Sequence, residues 1–308
     1  YSRFLARCLE GIAAQTRRPD RVLVCDDCSP IDSEEELRAI MAPYPWAELR
    51  RNPSNIGAVA NYRQGLASVT EDAYMLHSAD DELADPNFFA DALALLEQEP
   101  DLVAVFGHKV HVDVEGRRLS ADPPPSDRPW TRLERTALRR RLAYDNVVPA
   151  VCTVIRSAVH ERLPPFPIDS SYRHDWQQWY LFTFHGDFGR IERPVMHYRV
   201  HGANISVGHA QSERLASTLD KDYHDLMARP ELDDDDRRHL QHGLDRLLIR
   251  TTRVGRLPAI AWCLRRSPAL TDALLETVIE RTADRLQQAA RAFSAASLAR
   301  RTGERRGS

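Results

Sequence analysis

Two pairs of adjacent carboxylates, Asp26-Asp27 and Asp80-Asp81, each close a short apolar run, over residues 21–25 and 73–77 respectively. Carboxylates at a strand end, followed by a turn and a helix, can hold a hard divalent cation such as Mg2+ or Mn2+. Substrate phosphates then complete the metal's shell. The second pair stands in HSADDELADP, residues 77–86; for an isolated pair a solvated acidic turn is the plainer reading. Asp26, Asp27 and Ser29 can equally cap a turn. Cys25-Asp-Asp-Cys28 has formal CxxC spacing, but the two carboxylates between the thiols raise their pKa values. No second Cys pair exists to complete a zinc site. Asp175 precedes Trp176 and Trp179, and reads as a helix N-cap in front of an apolar i, i+3 pair. His201 lies between Arg199 and Asn204. His197, four residues earlier, fits strand alternation better than a zinc pair, and His108 and His111 read as structural.

The elements that must carry these groups follow from periodicity. Residues 4–14 read as a helix with Leu5, Cys8, Leu9 and Ile12 on one stripe. Residues 21–25 are a β-branched run with the pattern of a buried parallel strand. Helices are expected over 33–41, with acidic residues in the first turn, and over 57–69, entered through Ser54 and Asn55 as caps. A strand over 73–77, a helix from Pro86 to Gln98 and a strand over 102–114 complete a βαβα rhythm. That rhythm predicts an α/β fold with a doubly wound, parallel sheet, which binds ligands beyond the carboxyl ends of its strands. Both carboxylate pairs fall at that edge. Residues 121–130 are Pro-rich and polar, hence a surface loop that can border a cleft. Helices over 131–143 and 174–185 and a strand over 193–200 follow. From about residue 211 the pattern is helical, broken near Pro230, Pro258 and Pro268, and it ends in an Arg-rich tail.

Composition bounds the function. Lys and Arg total 42 against 45 Asp and Glu in 308 residues, a net charge of -3, which argues against a nucleic-acid binder needing a basic face. At 43% hydrophobic and 28% charged, the chain has an ordinary globular composition. No apolar run reaches the roughly 18 residues of a membrane span, and the five scattered Cys disfavour a disulfide framework and fit a reducing cytoplasm.

Several segments resemble the family 2 inverting glycosyltransferases, in the order that family has them. VLVCDDCSPIDSEEEL is similar to its "V-DD-S-D" segment and FLARCLEGIAAQTRRPD to the helix before it. NPSNIGAVANYRQGL is similar to "N-G---A-N-G", ADDELADP to the metal-binding DXD-type segment, RHDWQQWYLFTFHG to the segment with the catalytic Asp, and YRVHGANIS to "YR-H--N-S". Together they cover residues 1 to about 206.

The resemblance implies a GT-A-type, Rossmann-like, mostly parallel sheet over residues 1–206 and a helical extension over 207–308. It implies a nucleotide-diphosphate sugar of UDP or dTDP type as donor, Mg2+ or Mn2+ as cofactor, and a glycan, lipid-linked or small-molecule acceptor. By position, Asp27 accepts the N3–H of a uracil or thymine base, with Asp26 beside it. Asp81 ligates the metal and Asp80 contacts ribose or the metal's outer shell, while Ser78 replaces the first Asp of the commoner D-A-D-D pattern. Asn55, Gly57 and Arg63 line the nucleotide and diphosphate. Asp175 is the base that takes the acceptor's proton, preceded here by His174 where many relatives have an acidic residue. His201 gives a further metal or diphosphate contact, and Trp176 and Trp179 serve as core or as a sugar platform. The expected location is the cytoplasm, with peripheral contact at the inner face of the membrane, where the stripe of Leu244, Leu247, Leu248 and Thr251 could lean. The family's opening strand, ending in a Pro-x-Tyr-Asn-like turn, is not found before Tyr1, so an open sheet edge beside Asp27 is expected. Two other readings remain at this level: a non-catalytic assembly protein on the same scaffold, and a nucleotidyltransferase, although no Gly-rich basic loop follows the first strand. Release of nucleoside diphosphate rather than pyrophosphate separates the last from sugar transfer.

Overall fold

The computed structural model of the chain describes residues 2–30, 33–124, 126–163, 174–202, 204 and 221–251. The chain divides into two compact units, 1–210 and 211–308. The first is α/β. Helix α1 (Ser2–Ala13) buries Leu5, Cys8, Leu9 and Ile12, the stripe its periodicity predicted, and Phe4 as well. Each such large side chain contributes about 1.5–3 kcal/mol by leaving water. Strand β1 (Val22–Asp26) pairs in parallel with β2 (Ala47–Arg51), and between them lies α2 (Glu34–Met41). Ser33 caps α2 through a reciprocal box, its hydroxyl accepting from the Glu36 N–H while the Glu36 carboxylate accepts from the Ser33 N–H.

The main sheet has the order β3-β7-β5-β8-β4 (Ala73–Met75, Thr153–Arg156, Leu102–Val112, Asp187–Arg199 and Glu82–Leu83), with β6 (Trp130–Leu133) also on β8. The two longest ladders, β1 with β2 and β5 with β8, are parallel; the shorter ones are antiparallel. The outer edge of β8 is shared, its first half taken by β6 and its second by β4. Helix α4 (Phe88–Gln98) covers the sheet with Phe88, Phe89, Ala92, Leu95 and Leu96, which join Leu102, Val105, Val154, Ile191 and Met196 in the core. Among the described residues β1 and β2 stand as a sheet of their own.

Several boundaries differ from the sequence expectation. Residues 130–133 extend as β6, and the helix expected over 131–143 is α5 (Arg135–Leu142), started by the Glu134 carboxylate, which accepts from the Thr136 and Ala137 N–H groups. The alternation of Trp130 and Arg132 is hidden by the helical run that follows. Helix α3 (Ala58–Leu66) has Gly57 as its N-cap, not Ser54 or Asn55, and α4 starts after Asn87, two positions later than Pro86 suggested. Helix α6 (His174–Phe182) is shorter than expected, and β8 longer. Strands β2 and β4 had no sequence signal: Ala47–Arg51 is mostly polar and Glu82–Leu83 is two residues long.

The described part of the second unit is helical at 221–227 and over Asp234–Thr251, and buries Tyr223, Leu226, Leu232, Leu240 and Leu244. The expected breaks at Pro258 and Pro268, the Arg-rich tail and the side chains of Leu248 and Thr251 lie outside the described residues. No helix of the described residues is long and apolar enough to cross a membrane.

Candidate active site

Strand β4 runs antiparallel to β8 with Glu82 opposite His197, so the residues just before β4 meet those at the end of β8. Asp80 and Asp81 thereby reach Arg199, His201 and Asn204, about 120 positions away in the chain. The Asp80 carboxylate lies 3.0 Å from His201 Nε2 and accepts from Asn204 Nδ2 at 3.3 Å. Asp81 Oδ1 accepts the Arg199 backbone N–H at 2.8 Å. The Arg199 side chain is fully buried and donates to the Asp80, Asp113 and Val114 carbonyls and to the Glu82 carboxylate. These bonds, all from one residue, lock the β4–β8 corner. Phe4 of α1 stacks on the His201 ring with centroids 5.4 Å apart, and Arg199 lies over the same Phe4 ring.

The two carboxylates differ. Asp81 is 1% exposed, and its Oδ2 is buried with no partner among the described residues. Burial raises its pKa to about 7, the Asp80 charge adds to the rise, and the Arg199 N–H opposes it. Asp80 is the carboxylate that faces His201, so the geometry pairs His201 with Asp80 and leaves Asp81 Oδ2 unpaired among the described residues. Among the described residues no group of three or more His, Cys, Asp and Glu could hold a metal ion by itself. His197 pairs across to Glu82 on β4 and joins no such group. His77, before the acidic pair, is held through Nδ1 at the Val151 carbonyl, and burial lowers its pKa.

At the first acidic pair the parallel register sets Asp26 opposite Arg51, and they form an ion pair at 2.6 Å. Asp26 also accepts from the Ser29 hydroxyl at 2.5 Å, which makes it the turn cap that its spacing allowed. Asp27 holds the loop before α3: it accepts from Ile56 N–H at 3.0 Å, Gly57 N–H at 2.8 Å and Asn52 Nδ2 at 2.9 Å. Burial pushes its pKa up, but these three bonds outweigh it and hold the carboxyl below its ordinary range. Gly57 has φ +87°, and a Cβ at this position would meet nothing within 4 Å, so glycine is required there by the backbone and not by space. Asn55 Oδ1 shares the Gly57 N–H at 3.2 Å. The side chain of Arg63, half-buried on α3, makes no hydrogen bond or ion pair among the described residues. Cys25 and Cys28 are free thiols, with the Cys25 pKa raised by burial, which goes against a reactive CxxC.

Asp175 stands in the first turn of α6 and accepts from Asn146 Nδ2 at 2.7 Å, not from a backbone N–H as an N-cap would. Trp176 and Trp179 are buried, and Trp176 Nε1 donates to the Leu142 carbonyl at 2.6 Å, so they are core and not a surface platform. One turn on, Gln178 closes a network with Tyr62 of α3, Tyr74 of β3 and His160, in which Tyr74 Oη bonds His160 Nε2. Asp175 is close enough to raise the Tyr62 pKa, after burial as the larger cause.

Sequence reading overlooked Asn52, Asn61 and Asn146, and gave Arg199 only a flanking place. Asn61 Nδ2 donates to the Cys25 carbonyl, and Asn52 bridges Asp27 and Asn61. Their one signal was position, Asn52 directly after a strand that pairs with the Asp26 strand, and that strand was itself unrecognised. Asn146 sits between Asp145 and Val147 with no pattern around it.

The model of the family described as Glycosyl transferase family 2 matches residues 2–163, more than half of the chain. An uncharacterized protein of Mycobacterium tuberculosis is 26% identical over 216 residues, 66% of this chain and 56% of that protein. The chain thus spans little more than half the length of that relative. An uncharacterized glycosyltransferase of a Nostoc species is 24% identical over 226 residues, 71% of this chain and 68% of the relative. Among solved structures, residues 1–349 of S. aureus TarS in complex with UDP-GlcNAc superpose with a TM-score of 0.59 at 15% identity, covering 90% of this chain and 78% of that one. The mannosyltransferase PcManGT from Pyrobaculum calidifontis, in complex with GDP-Man and Mn2+, superposes with a TM-score of 0.56 at 16% identity, covering 91% and 76%. These likenesses establish a common α/β fold.

Proposed function

The chain belongs to glycosyl transferase family 2, and on that premise we propose that it moves a sugar from a nucleotide-diphosphate donor of UDP or dTDP type to an acceptor hydroxyl, with inversion at the anomeric carbon. The acceptor class is a glycan, a lipid-linked molecule or a small molecule. The observation that carries the reading is the convergence of Asp80, His201 and Asn204 at the β4–β8 corner around buried Arg199. There a carboxylate and an imidazole face each other at 3.0 Å over that scaffold. Solved neighbours bound to UDP-GlcNAc and to GDP-Man with Mn2+ support the same reading.

Asp80 Oδ2 and His201 Nε2 are a hard oxygen and an imidazole nitrogen, donor types suited to Mn2+ or Mg2+, and the neighbouring Asp81 keeps a buried Oδ2 with no partner among the described residues. Two protein ligands make only part of a shell, which fits a cation that takes its remaining ligands from a diphosphate. Bound there, the cation would supply positive charge against the departing diphosphate. Asp27, Asn55, Gly57 and Arg63 are proposed to face the nucleotide. Asp27 fixes the loop, Gly57 gives its bend, and Arg63 offers a guanidinium with no protein partner among the described residues. Asp175 is proposed as the base. As the acceptor oxygen bonds to the anomeric carbon and the bond to the diphosphate breaks, the hydroxyl proton passes to the Asp175 carboxylate.

The Asp175→Asn variant tests this. Its amide is isosteric but cannot take the proton, so donor binding should persist, read as the thermal shift given by UDP sugars. Transfer or donor hydrolysis should fall about 10²- to 10⁴-fold. Turnover equal to the unmodified protein would exclude Asp175 as base.

A further inference from the structure

We propose that Asn146 is a positioning residue that holds the Asp175 carboxylate so that a single oxygen faces the acceptor. The inference rests on the reading of Asp175 as base. The end of α5 grips the start of α6 at two points. The Leu142 carbonyl accepts Trp176 Nε1 at 2.6 Å, and four residues later Asn146 Nδ2 donates to Asp175 Oδ2 at 2.7 Å. Trp176, Trp179 and Tyr180, all buried, keep α6 from rotating. Gln178, one turn from Asp175 on the same helix, is anchored to Tyr62 and Tyr74. Helix and carboxylate are therefore fixed separately, and Asp175 Oδ1 is left with no hydrogen bond among the described residues.

The Asn146 amide shows an imbalance that a purely structural asparagine would avoid. Its Nδ2 is used, while its Oδ1 is buried with no partner among the described residues. An ionised carboxylate only accepts hydrogen bonds, so the amide must turn its NH2 end to Asp175 and leave its carbonyl unmatched. A buried acceptor without a partner costs about 1–3 kcal/mol. Here the fold tolerates that cost beside a half-buried carboxylate that the same amide holds. Chemically, the Asn146 N–H engages Oδ2, so the proton released when the acceptor oxygen bonds to the anomeric carbon goes to Oδ1.

The test uses the full chain, Mn2+ and the UDP sugar that gives the largest thermal shift, with release of UDP to water as the readout. Asn146→Leu keeps the branching and heavy-atom count of the side chain and removes the bond. We expect kcat to fall about 10- to 100-fold, as for other misplaced catalytic groups, with donor KM unchanged. The melting temperature should be equal or higher, because the unmatched carbonyl is gone. Asn146→Asp puts a second carboxylate against Asp175, so the two share a proton and the acid limb of the kcat profile moves up by about one pH unit or more. A merely structural asparagine would instead lower the melting temperature of Asn146→Leu and leave its kcat at the wild-type level. Wild-type kcat and an unmoved acid limb in both variants, with Asp175→Asn inactive, would overturn the proposal and leave Asp175 as base. A rise in KM with kcat unchanged would also overturn it, assigning Asn146 to donor binding. Full turnover by Asp175→Asn, or no UDP release by the unmodified chain, would remove the underlying reading and the proposal with it.

Discussion

Glu192 shows how single charges are made to last in this fold. Its side chain is almost fully buried on β8, and burial alone would raise its pKa. Bonds from Arg190, Thr131 and His108 outweigh burial and bring it to about 2. A carboxylate whose folded pKa lies below its ordinary value of 4.5 stabilises the fold fully above pH 4.5, and this contribution is lost as pH falls toward 2. Glu192→Gln should therefore lower stability at pH 7 by roughly 1–3 kcal/mol, the range for hydrogen bonds to a charged group. The gap to the unmodified chain should close on acidification. Urea denaturation at about pH 7 and about pH 3 reads this directly, and an equal gap at both values would show that the charge is not the cause. At the same scale, some roles could be read from residue type and spacing and others could not. The acidic first turn of α2 and the apolar stripe of α1 are local, so residue type and short-range spacing reveal them. The pairing of His201 with Asp80 instead of Asp81 is not local: it depends on which of two neighbouring buried side chains the β4–β8 register brings to His201.

Among the elements, the β5–β8 ladder is the axis on which the site is mounted, since β8 carries Arg199 to the acidic pair. The ladder has register shifts around Gly107 and His108, and a Cβ at Gly107 would sit 2.5 and 2.6 Å from the two methyl carbons of Val195. Gly107→Ala must push β5 from β8, and overpacking of this kind typically destabilises by about 1–3 kcal/mol. Adding Val195→Ala should restore part of the loss, because the two residues touch. Denaturation of the single and double variants measures the coupling, and strictly additive losses would contradict the close approach. The long buried strands and amphipathic helices were legible because Leu102–Val112 and Phe88–Gln98 carry apolar residues at the right period. Strands β2, β4 and β6 were not, because edge strands with Arg and Glu side chains carry little periodic signal. Without β4 in view, nothing in the sequence tells why Asp80 should meet His201.

For the whole molecule, the first unit combines a carboxylate pair at each of two strand ends, a guanidinium-locked corner and a carboxylate fixed by an asparagine. The α/β class and the family were within reach of the sequence because ordered short motifs survive where overall identity is low. The division of labour among Asp26, Asp27, Asp80 and Asp81 was not, because it is set by packing: all four accept hydrogen bonds from the protein, and of the four Asp81 alone keeps a buried oxygen with no partner among the described residues. The central claim is that Asp80 and His201 form the protein's half of a cation site that receives a nucleotide diphosphate. Titration of UDP into the full chain, with Mn2+ and then with the metal chelated, tests it most directly when repeated on Asp80→Ala. The account predicts binding by the unmodified chain that requires Mn2+ and a loss of at least tenfold in affinity, about 1.4 kcal/mol, in the variant. Binding of UDP that is indifferent to the metal and equal in Asp80→Ala would contradict it.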